Sequence, residues 1–159
     1  MTALEARTGQ KAPSLVIGLP DGAATEALGA RLAARLSAPS LVCLSGPLGA
    51  GKTTLARGLI GAWAGADETP SPTYTLVQTY EGPKGLLWHL DLYRLEDPEE
   101  IFDLGFEEGL ATALMLVEWP ERLGGYIPAS RIEIALAQDG DGRIARLSGH
   151  GDHQGFDLA

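Results

Sequence analysis

The segment Gly46-Pro47-Leu48-Gly49-Ala50-Gly51-Lys52-Thr53 constrains this chain more than any other. It matches the pattern GxxxxGK[ST], and its flanks supply the context that the pattern needs. Leu41-Val42-Cys43-Leu44 precedes it, wholly apolar, as suits a strand buried on both faces of a parallel sheet. A helix is predicted to follow over Lys52–Trp63, with Leu55, Leu59 and Trp63 along one face. Strand, glycine-rich turn and helix start together form a phosphate cradle. Glycine lets backbone N–H groups turn inward, and the helix start adds partial positive charge. In such a loop Gly46, Gly49, Ala50 and Gly51 shape the cradle, and Lys52 reaches the β- and γ-phosphates. The Thr53 hydroxyl ligates magnesium, and Thr54 hydrogen-bonds the α-phosphate. Pro47 lacks an N–H but stands at the entrance, where no phosphate contact is expected to be lost.

The rest of the chain reads as alternating elements. Ser14–Leu19 is a predicted strand and Asp21-Gly22 a turn; Ala24–Leu36 is an amphipathic helix with Leu28, Leu32 and Leu36 at spacing four. Thr75–Tyr80 and Leu86–Tyr93 are strands joined through Gly82–Gly85, and Pro98–Leu104 is a short helix. Leu114–Val117 is a second apolar run. Arg131–Ala137 and Arg143–Leu147 alternate around the turn residues Asp139-Gly140-Asp141-Gly142. Strands and helices alternate first and hairpins follow, which predicts an α/β fold: a P-loop NTPase-like three-layer sandwich with a mixed β-sheet. The ATPase domain is expected over residues 15–148, with a disordered segment over 1–14 and a flexible tail over 149–159, both polar or glycine-rich.

Composition narrows the function classes. With 159 residues, 45% hydrophobic and 21% charged, the chain is expected to form one domain with a substantial core. No apolar run reaches the ~18 residues of a membrane span, and Met1–Ser14 carries no long apolar stretch of the secretory kind. A single cysteine, Cys43, excludes an intramolecular disulfide framework, so a cytoplasmic protein without membrane contact is expected. The formal net charge of −9, with only three lysines (Lys11, Lys52 and Lys84), argues against gripping a nucleic-acid backbone unaided. None of those lysines stands in the Asn/Thr-Lys-x-Asp element with which GTPases read guanine, which leaves ATP as the expected nucleotide.

A phosphate site of this kind needs a carboxylate at the end of a neighbouring strand, to order magnesium or orient the attacking water. Leu114-Met115-Leu116-Val117-Glu118 has that form, and Glu118 is the expected acid. In Trp88-His89-Leu90-Asp91-Leu92-Tyr93, alternation places His89, Asp91 and Tyr93 on one face, which leaves open either an approach to the metal or a solvated sheet face. The loop Ser71-Pro72-Thr73-Tyr74-Thr75 stands where many P-loop proteins carry a γ-phosphate-sensing switch. Trp119 packs over the site, offers a partner surface or joins the core.

Four blocks, in order, resemble one family: Gly46–Thr54, Ser71-Pro72-Thr73-Tyr74-Thr75-Leu76-Val77, His89-Leu90-Asp91-Leu92-Tyr93-Arg94-Leu95 and Leu116-Val117-Glu118-Trp119-Pro120. They look like the bacterial tRNA threonylcarbamoyladenosine biosynthesis ATPases of the TsaE family, from about Ala24 to Leu136. The resemblance implies an ATP- and Mg2+-dependent subunit that helps install threonylcarbamoyl on the adenosine beside the anticodon, in tRNAs reading codons that start with A. It implies docking on the partners TsaB and TsaD, with ATP hydrolysis resetting the complex and tRNA met only through that complex. It assigns phosphate and magnesium binding to Lys52 and Thr53, the switch loop to Thr73, the magnesium side to Asp91 and the strand-end acid to Glu118, with Trp119 beside it. Pro47 departs from the Asp of many relatives. The runner-up is a small-molecule kinase that uses Asp91 and Arg94.

Overall fold

The computed structural model describes residues 14–65 and 76–158. Its sheet has seven strands: β1 (Ser14–Leu19), β2 (Ser40–Ser45), β3 (Val77–Gly82), β4 (Gly85–Asp91), β5 (Leu114–Glu118), β6 (Arg131–Asp139) and β7 (Gly142–His150). They lie in the order β1-β7-β6-β2-β5-β4-β3. The two wholly apolar runs take the central places. β2 runs parallel to β5 on one side and β6 on the other, and β4 runs parallel to β5. The hairpins β3–β4 and β6–β7 and the pairing of β1 with β7 are antiparallel. The sheet is therefore mixed.

Two helices cover one face: α1 (Gly22–Arg35) and α2 (Lys52–Ala64). Leu28, Leu32, Leu55 and Leu59 pack there against Val42, Leu44, Leu116 and Ile134. The helices approach closely because glycines face backbone. A Cβ on Gly29 would overlap the Leu55 carbonyl, and one on Gly58 would overlap that of Glu26. The other face carries a 3-10 segment (Pro98–Leu104), α3 (Phe106–Thr112) and a second 3-10 segment (Pro120–Tyr126). Ile101, Phe106 and Leu123 cover Leu90, Met115 and Val117 on that side. Helical layers on both faces make the expected three-layer sandwich.

Local chemistry explains where the elements depart from the sequence reading. Asp21 does not make a turn with Gly22; its side chain accepts the Ala24 N–H at 2.8 Å and caps α1, which starts two residues earlier than predicted. Pro98–Leu104 is the short helix predicted, of 3-10 type and held by a capping box between Asp97 and Glu100. α3 is an element the periodicity missed: Gly105 and Gly109 interrupt the pattern, and Gly109 lies against the Trp88 ring because no larger residue fits there. Residues 151–158 are mostly exposed but anchored at their end. β7 continues to His150, a 3-10 turn follows over Gly151–His153, and Leu158 is buried in the core beside Phe156. Among the described residues no helix is long and apolar enough to cross a membrane.

Candidate functional site

The chain leaves β2 at its carboxyl end and turns at once into the glycine loop. Three of its glycines have positive φ: 139° at Gly46, 79° at Gly49 and 103° at Gly51. A Cβ on Gly46 would overlap the Leu136 carbonyl of β6, so this turn demands glycine for space as well as conformation. Gly51 is the N-cap of α2 and offers no side chain to the helix's first N–H groups. The first N–H groups of a helix have no intrahelical partner, which is what an anion site requires.

Around this loop the sheet collects the expected residues. Leu48, Lys52, Thr53, Asp91, Glu118 and Trp119 line one cavity with Gly49, Gly51 and Thr54. Parallel pairing sets Asp91 of β4 directly beside Glu118 of β5, so both carboxylates arrive at the same end of the sheet. Glu118 is only 2% exposed, and its Oε1 lies 3.5 Å from the Thr53 hydroxyl. Asp91 is half-buried, and its Oδ1 accepts the Tyr93 N–H at 3.1 Å. Burial pushes the Asp91 carboxyl pKa up, and the neighbouring Glu118 adds to the rise. Thr73 lies outside the described residues, as does the rest of Ser71–Thr75.

Lys52 is buried, 6% exposed. Its ammonium donates to the Gly46 carbonyl and, at 3.1 Å, to that of Pro47, and lies 3.9 Å from the centroid of the Trp119 ring. Burial lowers its pKa, against the pull of Glu118, Glu121 and Asp91. Trp119 reaches this position through an unusual backbone. Its φ of 59° and ψ of 53° make it the only non-glycine residue with positive φ among those described. That left-handed turn costs about 1–2 kcal/mol. It swings the indole from the end of β5 onto Lys52, with the Tyr93 ring 4.9 Å away.

Two further groups join the site: Arg143, which no motif singles out, and His89, which the sequence placed on the Asp91 face without a partner. Arg143, at the start of β7, donates to the Gly49 carbonyl at 2.9 Å and lines both the phosphate cavity and a neighbouring cleft walled by Asp21, Thr25 and Asp141. Only the sheet order brings it there, across 94 residues of sequence. His89 is 2% exposed, with Nε2 2.7 Å from Glu118 Oε2. Alternation placed it on the Asp91 face; its partner was not legible.

The donor set suits a small hard cation. Thr53, Asp91 and Glu118 offer oxygens only, and among the described residues no three His, Cys, Asp or Glu side chains gather into a metal cage. Magnesium, which keeps several waters and shares its ligands with phosphate, fits that sparse set.

The family model for "Threonylcarbamoyl adenosine biosynthesis protein TsaE" matches residues 19–146. A tRNA threonylcarbamoyladenosine biosynthesis protein TsaE of Rickettsia bellii is 42% identical over 118 residues, which is 73% of this chain and 82% of that one. The TsaE of Nostoc sp. is 40% identical over 131 residues, 79% of this chain and 80% of its own length. The crystal structure of Bacillus subtilis YdiB superposes with a TM-score of 0.74 at 25% identity and covers 91% of each chain. A phosphate loop between β2 and α2, two strand-end carboxylates beside it and these matches lead to one conclusion: the chain belongs to the TsaE family of threonylcarbamoyl adenosine biosynthesis proteins.

Proposed function

We propose that this chain binds ATP with Mg2+ on the Gly46–Thr53 loop and hydrolyses it to ADP and phosphate. It does so as a subunit of the machinery that makes threonylcarbamoyladenosine in tRNA, acting with TsaB and TsaD. One observation carries the reading: Lys52, Thr53, Asp91 and Glu118 converge on one glycine loop in a member of this family. Lys52 exchanges its two carbonyl acceptors for the β- and γ-phosphates, a stronger charge-assisted pairing. Thr53 and Asp91 hold the cation side, and Glu118 orders the water that attacks. Magnesium supplies charge neutralisation on the phosphate oxygens. The α-phosphate falls to Thr54 and Arg143, which also border the cleft with Asp21 and Asp141 where the nucleoside continues. Thr73 is assigned to a loop that closes on the γ-phosphate.

The acidic charge supports a subunit that meets tRNA only through its partners. Partner docking is expected to speed hydrolysis, and hydrolysis to release the docked state, in the cytoplasm. Family membership weighs against the small-molecule kinase alternative. The test is ATP turnover by the chain alone and with purified TsaB and TsaD. Turnover is expected to be slow alone and to rise with the partners. Partners that neither bind nor change turnover would overturn the reading.

A further inference from the structure

We propose that His89 is the positioning residue of the site acid: it holds one carboxylate oxygen of Glu118 and so presents the other to Thr53. The inference rests on reading Glu118 as the hydrolytic acid.

The two side chains meet in the interior. His89 and Glu118 are each 2% exposed, and His89 Nε2 lies 2.7 Å from Glu118 Oε2. The other ring nitrogen, Nδ1, is buried and has no hydrogen-bond partner among the described residues. The short contact at Nε2 and the unmatched Nδ1 together favour the proton on Nε2. A proton on Nδ1 would be a buried donor with no acceptor, and would leave a bare Nε2 facing a carboxylate oxygen. With the proton on Nε2, the ring donates to Glu118 and only a bare nitrogen goes unmatched, so His89 acts on Glu118 as a fixed donor.

Geometry says what the donor accomplishes. In the parallel register His89 pairs with Leu116 and Asp91 with Glu118, so His89 approaches the Glu118 carboxylate diagonally from the same face of the sheet. It takes Oε2, and Oε1 is left 3.5 Å from the Thr53 hydroxyl. A carboxylate with both oxygens free would rotate about its last torsion, which is broad and roughly two-fold.

The test uses the chain with TsaB and TsaD and MgATP as the probe. His89→Leu is expected to slow single-turnover ATP cleavage about 10- to 100-fold, the scale on which losing an orienting outer partner lowers activity. Calorimetric affinity for Mg-ADP should stay unchanged. His89→Gln, whose amide N–H can reach the same oxygen, should restore most of the rate. The double variant His89→Leu/Glu118→Gln should be no slower than Glu118→Gln alone. Wild-type cleavage by His89→Leu, with Glu118→Gln impaired, overturns the positioning role and leaves the reading of Glu118 standing; normal cleavage by Glu118→Gln overturns both. Ring-15N spectra of the nucleotide-free chain give an answer independent of turnover and of how the Leu variant folds. A proton on Nε2, with a signal that moves in Glu118→Gln, is expected. A proton on Nδ1 instead overturns the proposal.

Discussion

The Lys52 ammonium lies 3.9 Å from the centroid of the Trp119 ring, and the same nitrogen donates to the carbonyls of Gly46 and Pro47. The loop's own cation is thus folded back onto its own backbone and an indole. Phosphate has to draw it away from both. Trp119 should therefore report nucleotide binding. Adding Mg-ADP is expected to change tryptophan emission, and Trp119→Phe should abolish the change while Trp88→Phe keeps it. An unchanged spectrum on saturation would mean that Lys52 does not move.

Lys52→Ala is expected to abolish nucleotide binding without unfolding the domain. Its partners are loop carbonyls and one ring, and none of the core contacts between α2 and the sheet depends on it. Calorimetry with Mg-ATP tests the binding, and a thermal melt checks the fold. Undiminished affinity would refute the phosphate site.

Substitutions at Glu118 should separate chemistry from binding. Glu118→Gln is expected to lower ATP cleavage by ~100-fold, equivalent to about 2.7 kcal/mol of barrier, with nucleotide affinity retained. Glu118→Ala should cost stability as well, because it strips the Nε2–H of buried His89 of its acceptor. A loss of about 1–3 kcal/mol is the expected scale for a donor stranded in that way. Single-turnover assays and denaturant melts of the two variants measure the two effects apart.

Asp91 predicts a pH dependence. Burial, and then Glu118, raise its carboxyl pKa above the ordinary 3.8. A carboxyl with a higher pKa in the folded chain binds its proton more tightly there than in the unfolded chain. Stability therefore falls as pH rises from 3.8 through the folded value, and the deficit persists above it. Asp91→Asn keeps an acceptor for the Tyr93 N–H and removes the charge. The nucleotide-free variant should melt above wild type at neutral pH, by a small margin since the group is half-buried, and the gap should close below pH 3.8. A series of melts across that range decides the sign.

The α1–α2 contact offers a control away from the site. Gly58→Ala would press a methyl group into the Glu26 carbonyl, and backbone does not yield cheaply. The expected cost is about 1–3 kcal/mol. Gly22→Ala, at the first position of α1 with open space around it, should instead stabilise by about 0.4–1 kcal/mol. Melting temperatures moving in opposite directions would establish the close packing.

The sequence made the phosphate loop and its flanks plain because their signal is local. Leu41–Leu44 and Leu114–Val117 are apolar throughout because both become central parallel strands, and Glu118 stands where the second one ends. Asp21 was misread because an Asp-Gly pair suits a turn and a helix start equally well until the partner, Ala24 N–H, is known. α3 escaped because glycine is used there to admit the Trp88 ring, a tertiary reason that overrides helix propensity. The roles of His89 and Arg143 depend on which strands lie side by side. Nothing near either residue in the chain encodes that order.

The sheet order has a consequence for synthesis on the ribosome. Among the described residues β1 pairs with β7 alone, and the loop that follows β2 is walled by Leu136 of β6 and tied by Arg143 of β7. β1 thus waits for a strand translated much later. A nascent chain that has already exposed Gly46–Thr53 still lacks both the wall and the tie, so the proposed nucleotide grip is expected only once the β6–β7 hairpin emerges. Domain closure and competence to bind phosphate become a single late event, and a chain released before β7 should possess neither.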